Sequence, residues 1–174
     1  MFRVLRYPDD IALLRRRSVD VPDSAFGTSR LRGFGDALGE TLIAQTLGAG
    51  LAATQVDVDP VLRVMAVNRG GDAYSVLYNP RVVSHAGEVE GPEGCLSFPG
   101  VNEQLTAPVE LVVQYRDAEG AAKERRCVVH MARCVWRTVQ YLDGKTVLDR
   151  MGAMKRRSFI KNLERWRREE DEES

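Results

Sequence analysis

R-C-V-W-R-T-V-Q-Y-L-D-G, from Arg133 to Gly144, has the spacing of a buried helix. Met131, Val135, Val139 and Leu142 recur at three- and four-residue steps and form its core stripe. Gly144 is the stop signal. Beside the stripe runs a second line of His130, Cys134, Arg137 and Tyr141. At about 100° per residue these four share a narrow arc, so Arg137 and Tyr141 point the same way, one turn apart. A metal-binding H-E-x-x-H helix carries its two histidines at that separation, with a glutamate directly after the first. Here the three places hold Arg137, Tyr141 and Thr138.

The chain of 174 residues suits one domain with a substantial core, and 25 basic residues balance 25 acidic ones. A balanced charge gives no overall field to draw in nucleic acid or a membrane surface. No apolar run is long enough to span a bilayer, and M-F-R-V-L-R-Y-P-D-D has no signal-peptide apolar region. Three cysteines without framework spacing point to reduced thiols in a cytoplasm. Only two histidines, His85 and His130, are available to any metal site.

In chain order, Asp9 and Asp10 are placed to cap a short helical turn, and the arginines after it read as a solvated face. From Ser29 to Thr46, Leu31, Phe34, Leu38, Leu42 and Ile43 mark an amphipathic helix, ended by Gly48-Ala49-Gly50. Gly50 to Val56 is a small-residue turn into a strand, in which Gln55 bonds to backbone on spacing alone. Val61 to Val67 and Tyr74 to Tyr78 are strands around a turn at Asn68 to Asp72, and Asn79-Pro80 breaks the second. Gly87 to Gly94 reads as a loop, and Cys95 sits on a sharp bend before a short strand. Val109 to Tyr115 and Glu124 to Val129 are strands joined by a hairpin turn at Asp117 to Gly120. Thr146 to Met151 is a short extended piece. Phe159, Leu163 and Trp166 share a helical face in the charged C-terminal stretch. Residues 1–168 then form one domain, and residues 169–174 an acidic disordered tail. Cys127 and Cys134 read as core.

Three stretches in register resemble the peptide deformylase family: G-A-G-L-A-A-T-Q (Gly48 to Gln55), E-G-C-L-S (Glu93 to Ser97) and L-D-G-K-T-V-L-D-R-M (Leu142 to Met151). The N-terminal R-V-L-R-Y-P-D fits as well, and the agreement runs over nearly the whole chain. The resemblance implies an α+β fold with strands wrapped around the central helix. It also implies a divalent metal held by the E-G-C-L-S cysteine and two helix histidines, with a glutamate as base. The glutamine and the amide after the cysteine would stabilise an oxyanion. Gln55, Cys95 and Leu96 match that pattern; Arg137, Thr138 and Tyr141 do not. Asn102 and Ala107 stand where the family often has arginines. A guanidinium is permanently charged and offers no lone pair, and a threonine is no carboxylate base.

These residues leave several functions open. The pocket could be a cofactor-free site, without metal, for a small anionic or acylated amino-acid or peptide ligand, lined by Gly50, Glu93 and Arg137. It could be a repurposed acyl-transfer or amidase site. Cys95 would then be the nucleophile favoured by Arg137, with Gln55 and the Leu96 amide as oxyanion donors and Tyr141 or Thr138 relaying a proton. It could be a deformylase with ligands moved to Cys95, Cys134 and His130. It could be an inert scaffold, with Arg137 paired to Glu93 and Tyr141 plugging the void. Lys155, Arg156, Arg157 and Lys161 would suit ribosome contact, but the acidic end favours a solvated tail. The sequence fixes no oligomeric state.

Overall fold

The computed structural model describes residues 1–45 and 48–173. Five antiparallel strands form one sheet in the order β1-β2-β3-β4-β5. They are β1 (Gly50–Ala52), β2 (Val64–Gly70), β3 (Ala73–Cys95), β4 (Phe98–Arg116) and β5 (Ala122–Val128). The helices are α1 (Ile11–Leu14), α2 (Ser29–Ile43), α3 (Val129–Leu142) and α4 (Ala153–Glu173). The fold is α+β, with α3 in the middle of the molecule. Among the described residues no helix is long and apolar enough to cross a membrane.

Helix α3 follows the periodicity of its sequence. Val135, Val139 and Leu142 are buried with Met65, Val67, Leu111 and Val113 from the sheet, while Met131 packs at the edge of that cluster. The helix ends where Gly144 adopts φ +78°, a conformation glycine enters without steric cost. Helix α2 buries Leu31, Leu38 and Leu42 over β1 and β2. Thr28 caps it by accepting the Leu31 N–H at 3.2 Å. Thr46, at the end of the expected helix, lies outside the described residues.

Several local expectations give way to tertiary pairing. Gly87 to Gly94 is not a loop: it is the distal half of β3, paired with β4 from Glu88↔Pro108 to Gly94↔Asn102. Its acidic and glycine-rich composition has little strand preference, but β4 supplies the partner strand that holds it extended. Asn79-Pro80 is a bulge rather than a break, because the Asn79 side chain accepts the Val21 N–H and donates to Val21 O. Asp10 precedes α1 but does not cap it; its carboxylate accepts the Arg6 N–H at 2.8 Å and pairs with Arg3. Thr146 to Met151 is not extended. Asp149 accepts the Thr146 N–H at 2.7 Å and closes a 3-10 turn over Val147–Arg150.

The acidic stretch continues α4 as far as Glu173, where disorder was expected; Ser174 lies outside the described residues. Arginine and glutamate are good helix formers, and Arg165 and Glu169 stand one turn apart at 3.9 Å. Phe159 and Leu163 anchor the helix in a second core cluster with Leu5, Phe98 and Leu148. Trp166 lies over Gly100, whose φ is +75° and where an added Cβ would come within 2.1 Å of the indole. Gly100→Ala should therefore cost about 1–3 kcal/mol through backbone strain and lost packing. Hydrogen exchange should show that loss concentrated in α4. Unchanged protection across α4 would mean that Trp166 does not hold it down.

Candidate functional site

A cavity of about 440 Å³ opens between the N-terminal part of α3, the β3–β4 turn and the Gly48–Gly50 segment. Cys95 closes β3 at the junction of two core clusters and stays half-buried on the cavity wall. Leu96 and Ser97 form the two-residue turn that reverses the chain, since Cys95 pairs with Phe98. Leu96 also lines the cavity, half-buried.

The Cys95 sulfur has two polar neighbours. The Tyr141 phenol oxygen is 2.8 Å away, and Gln55 Nε2 lies at 3.5 Å. Gln55 is buried in the turn after β1, where its Oε1 accepts the Ala52 N–H at 3.1 Å. That bond is the backbone contact expected from spacing. Its other end also donates to Ser97 Oγ at 3.1 Å, which fixes the amide against the β3–β4 turn. Burial, then the neighbouring Cys95 sulfur, pushes the Tyr141 phenol well above its usual pKa. The phenol keeps its proton, either it or the thiol serving as donor between them, and its oxygen also accepts the Val147 N–H at 3.4 Å.

Arg137 lines the same cavity, one helical turn before Tyr141. Its Nη1 donates to Gly94 O at 2.6 Å, so it lies against the residue next to Cys95. It makes no ion pair among the described residues. Burial works against its charge, but Cys134, Cys95 and Glu93 nearby outweigh it and raise the guanidinium pKa. The side chain is a fixed cation.

Two expected site residues are occupied elsewhere. Glu93 is fully buried and does not pair with Arg137: one carboxylate oxygen accepts from Arg133 at 3.2 Å and the other from Arg150. Arg133 also donates to Val89 O and Leu105 O, stapling α3 to the β3–β4 hairpin. Glu93 holds the hairpin and offers a ligand no free oxygen. The Thr138 hydroxyl donates to Cys134 O at 2.7 Å within the helix and does not face the cavity, so it relays no proton there. It fills the space above Gly50, where an added Cβ would come within 2.8 Å of its oxygen. Gly50 does line the cavity, but as the residue that lets β1 approach α3.

The displaced ligand set of Cys95, Cys134 and His130 does not assemble either. The Cys134 thiol donates to Ala49 O at 3.1 Å, burial raises its pKa, and His130 is exposed at the start of α3. Among the described residues no three His, Cys, Asp or Glu side chains gather as a metal site. Cys127 is buried in the core, as its strand position implied.

Sequence reasoning missed Ser97, Arg133, Arg150 and Arg6. Arg133 was legible as the residue one turn before Arg137. Arg150 becomes a candidate only once Glu93 is known to be buried. Arg6 is exposed on the cavity wall and makes no ion pair among the described residues.

The polypeptide deformylase family model matches residues 1–157. A peptide deformylase of Nitrosococcus oceani is 33% identical over 168 residues, covering 97% of each chain. One from Xylella fastidiosa is 33% identical over 165 residues, covering 95% of each. The crystal structure of a peptide deformylase from Legionella pneumophila superposes with a TM-score of 0.86 at 27% identity, covering 98% of each chain. With the E-G-C-L-S turn, Gln55 and α3 placed as described, the chain belongs to the polypeptide deformylase family.

Proposed function

We propose that this chain uses the cavity beside Cys95 as a metal-free site for the anionic or acylated end of a small molecule or peptide, and that it does not perform metal-dependent deformylation. The observation that carries this reading is Arg137, a cation on the cavity wall with no carboxylate partner among the described residues. A cation so placed attracts an anion and repels a divalent metal.

The donor set supports the same reading. Around Cys95 stand a phenol that keeps its proton, a carboxamide and a guanidinium. Only the thiol is a ligand that a divalent transition metal prefers. Among the described residues no carboxylate on the cavity wall is free to take a proton from water, since both Glu93 oxygens are paired. Gln55 and the Leu96 amide keep the places where they would hold a carbonyl or carboxylate oxygen.

A second reading, an active deformylase, is favoured by the names of the relatives and by the retention of Gln55, Cys95 and Leu96. Two measurements separate the readings. Elemental analysis after anaerobic purification should find no stoichiometric iron, zinc or nickel, and formyl-methionyl peptides should not be hydrolysed. One metal per chain, lost in Cys95→Ala, together with chelator-sensitive hydrolysis would establish the second reading instead. For binding, titration with N-acetylmethionine followed by NMR should perturb residues 94–96 and 137. Arg137→Ala should weaken it by about 1.5–3 kcal/mol, roughly 10- to 150-fold, the worth of a charged hydrogen bond. Equal affinity in Arg137→Ala would remove Arg137 from the site.

A further inference from the structure

We propose that the cavity selects a ligand with two acidic groups, an N-acylated acidic amino acid with one carboxylate on Arg137 and the other on Arg6. The inference rests on the reading above, that the cavity takes an anionic or acylated ligand, and it names the class of that ligand.

The charge on the cavity wall is unbalanced. The Asp, Glu, Lys and Arg residues that line it are Arg6, Glu93, Arg133 and Arg137. Glu93 pairs with Arg133 at 3.2 Å, and Arg150, outside the lining, takes its other oxygen. Neither Arg6 nor Arg137 makes an ion pair among the described residues. Two guanidinium charges therefore face one cavity without a counter-charge, and a single carboxylate neutralises only one of them. The planar fork of each matches a carboxylate.

Arg6 is held at the site by the backbone on either side of it. The Leu5 N–H donates to Gln55 O at 2.8 Å, and the Tyr7 N–H to Ser97 O at 2.9 Å. The segment is thus tied to the turn that carries Gln55 and to the turn after Cys95. Leu5 is fully buried and Arg6 exposed, so the guanidinium turns away from the core and onto the cavity wall. The carboxylates nearest to it in sequence are taken. Asp9 pairs with Arg167 at 3.0 Å and Asp10 with Arg3 at 2.9 Å, and Asp10 accepts the Arg6 main-chain N–H, not its side chain.

Arg137 is likewise only partly used. Its Nη1 donates to Gly94 O, while Nε and Nη2 have no partner among the described residues and are not sealed off from the cavity. The two cations stand on separate elements, the N-terminal segment and α3, so two acids on one flexible molecule suit them better than a compact dianion such as phosphate. Leu96, Pro99 and Val101 add an apolar lining for the acyl group. His130 is a further basic group on the wall, exposed and seven residues before Arg137, about 10 Å along the helix axis. Its imidazole carries charge only when protonated, whereas both guanidinium groups are always charged.

The test titrates the full chain with N-acetylaspartate and N-acetylglutamate, and with their side-chain amides N-acetylasparagine and N-acetylglutamine, by NMR and calorimetry. The two chain lengths sample two spans between the acids. The better acid should bind at least roughly fivefold more tightly than its own amide, the modest worth of an exposed ion pair. That ratio should shrink as salt is raised. Arg6→Gln should bring it toward one. Arg137→Ala should weaken acid and amide alike and keep the ratio, and His130→Gln should keep it as well. Equal affinity for acid and amide, or a ratio that His130→Gln removes and Arg6→Gln leaves, overturns the proposal. So does inorganic phosphate competing as well as the acids. N-acetylmethionine reads the underlying site separately. Its binding at residues 94–96 and 137 without any preference for the acids removes the second anion position and leaves the site standing; no perturbation by any of these ligands removes both.

Discussion

Glu93→Ala should lower the unfolding free energy by about 3–5 kcal/mol, the usual cost of removing one partner from a buried ion pair. The Glu93 side chain is 0% exposed, and those of Arg133 and Arg150 are 13% and 12% exposed. The attraction is therefore little screened by water, and among the described residues neither arginine has another carboxylate within pairing distance. Without Glu93 the two guanidinium groups would repel each other across a void. Their remaining bonds are to main-chain carbonyls: Arg133 to Val89, Gly91 and Leu105, and Arg150 to Thr106. The loss thus falls on the joint between α3, the β3–β4 hairpin and the Val147–Arg150 turn, two residues from Cys95. Against a typical total stability of about 5–15 kcal/mol, a change of this size reaches a large share of the whole. Urea unfolding should show a lower midpoint with an unchanged slope. A loss under about 1 kcal/mol would mean that the arginines find water or new partners, and that the triad is not what holds the hairpin to the helix.

The same triad shows where sequence reasoning stops. Three arginines were available to Glu93, and the two that take it are 40 and 57 residues away in sequence. Helical spacing placed Arg137 on the correct face of α3 but did not reveal that Arg133, one turn earlier, is nearer the carboxylate. Val135, Val139 and Leu142 were legible because periodic burial is written locally. Gly87 to Gly94 was not, because its strand conformation comes from β4 rather than from its own residues. Cys95, Gln55 and Leu96 were readable from the family resemblance, and the structure brings their side chains or turn together. Thr138 was misread for a simpler reason. A threonine inside a helix readily bonds back to the carbonyl four residues earlier, and here it does so at 2.7 Å.

Arg137→His, Thr138→Glu and Tyr141→His combined should give a chain that binds a divalent ion at about one per chain, provided that the backbone already presents the geometry. The present contacts support that condition. Tyr141 reaches to 2.8 Å from the Cys95 sulfur, and Arg137 lies against Gly94, so two shorter imidazoles at these places would face the thiol from successive turns. The Thr138 hydroxyl already fills the space over Gly50, so a glutamate at 138 has to extend past it. The introduced carboxylate would be buried, since Thr138 is only 1% exposed, so the metal-free triple variant should be less stable than the wild type. Metal should restore that stability, because an ion that binds only the folded state raises the melting temperature, by an amount that grows with the logarithm of its concentration over Kd. Elemental analysis and thermal melts with added zinc or nickel read both effects without reference to activity. Tyr141→His alone offers only the thiol and one imidazole and should bind far more weakly. A folded triple variant that takes up no metal would show that the backbone around Cys95 has changed along with its side chains. A wild-type chain whose melting temperature already rises with metal would mean that Arg137 does not bar a cation from this site.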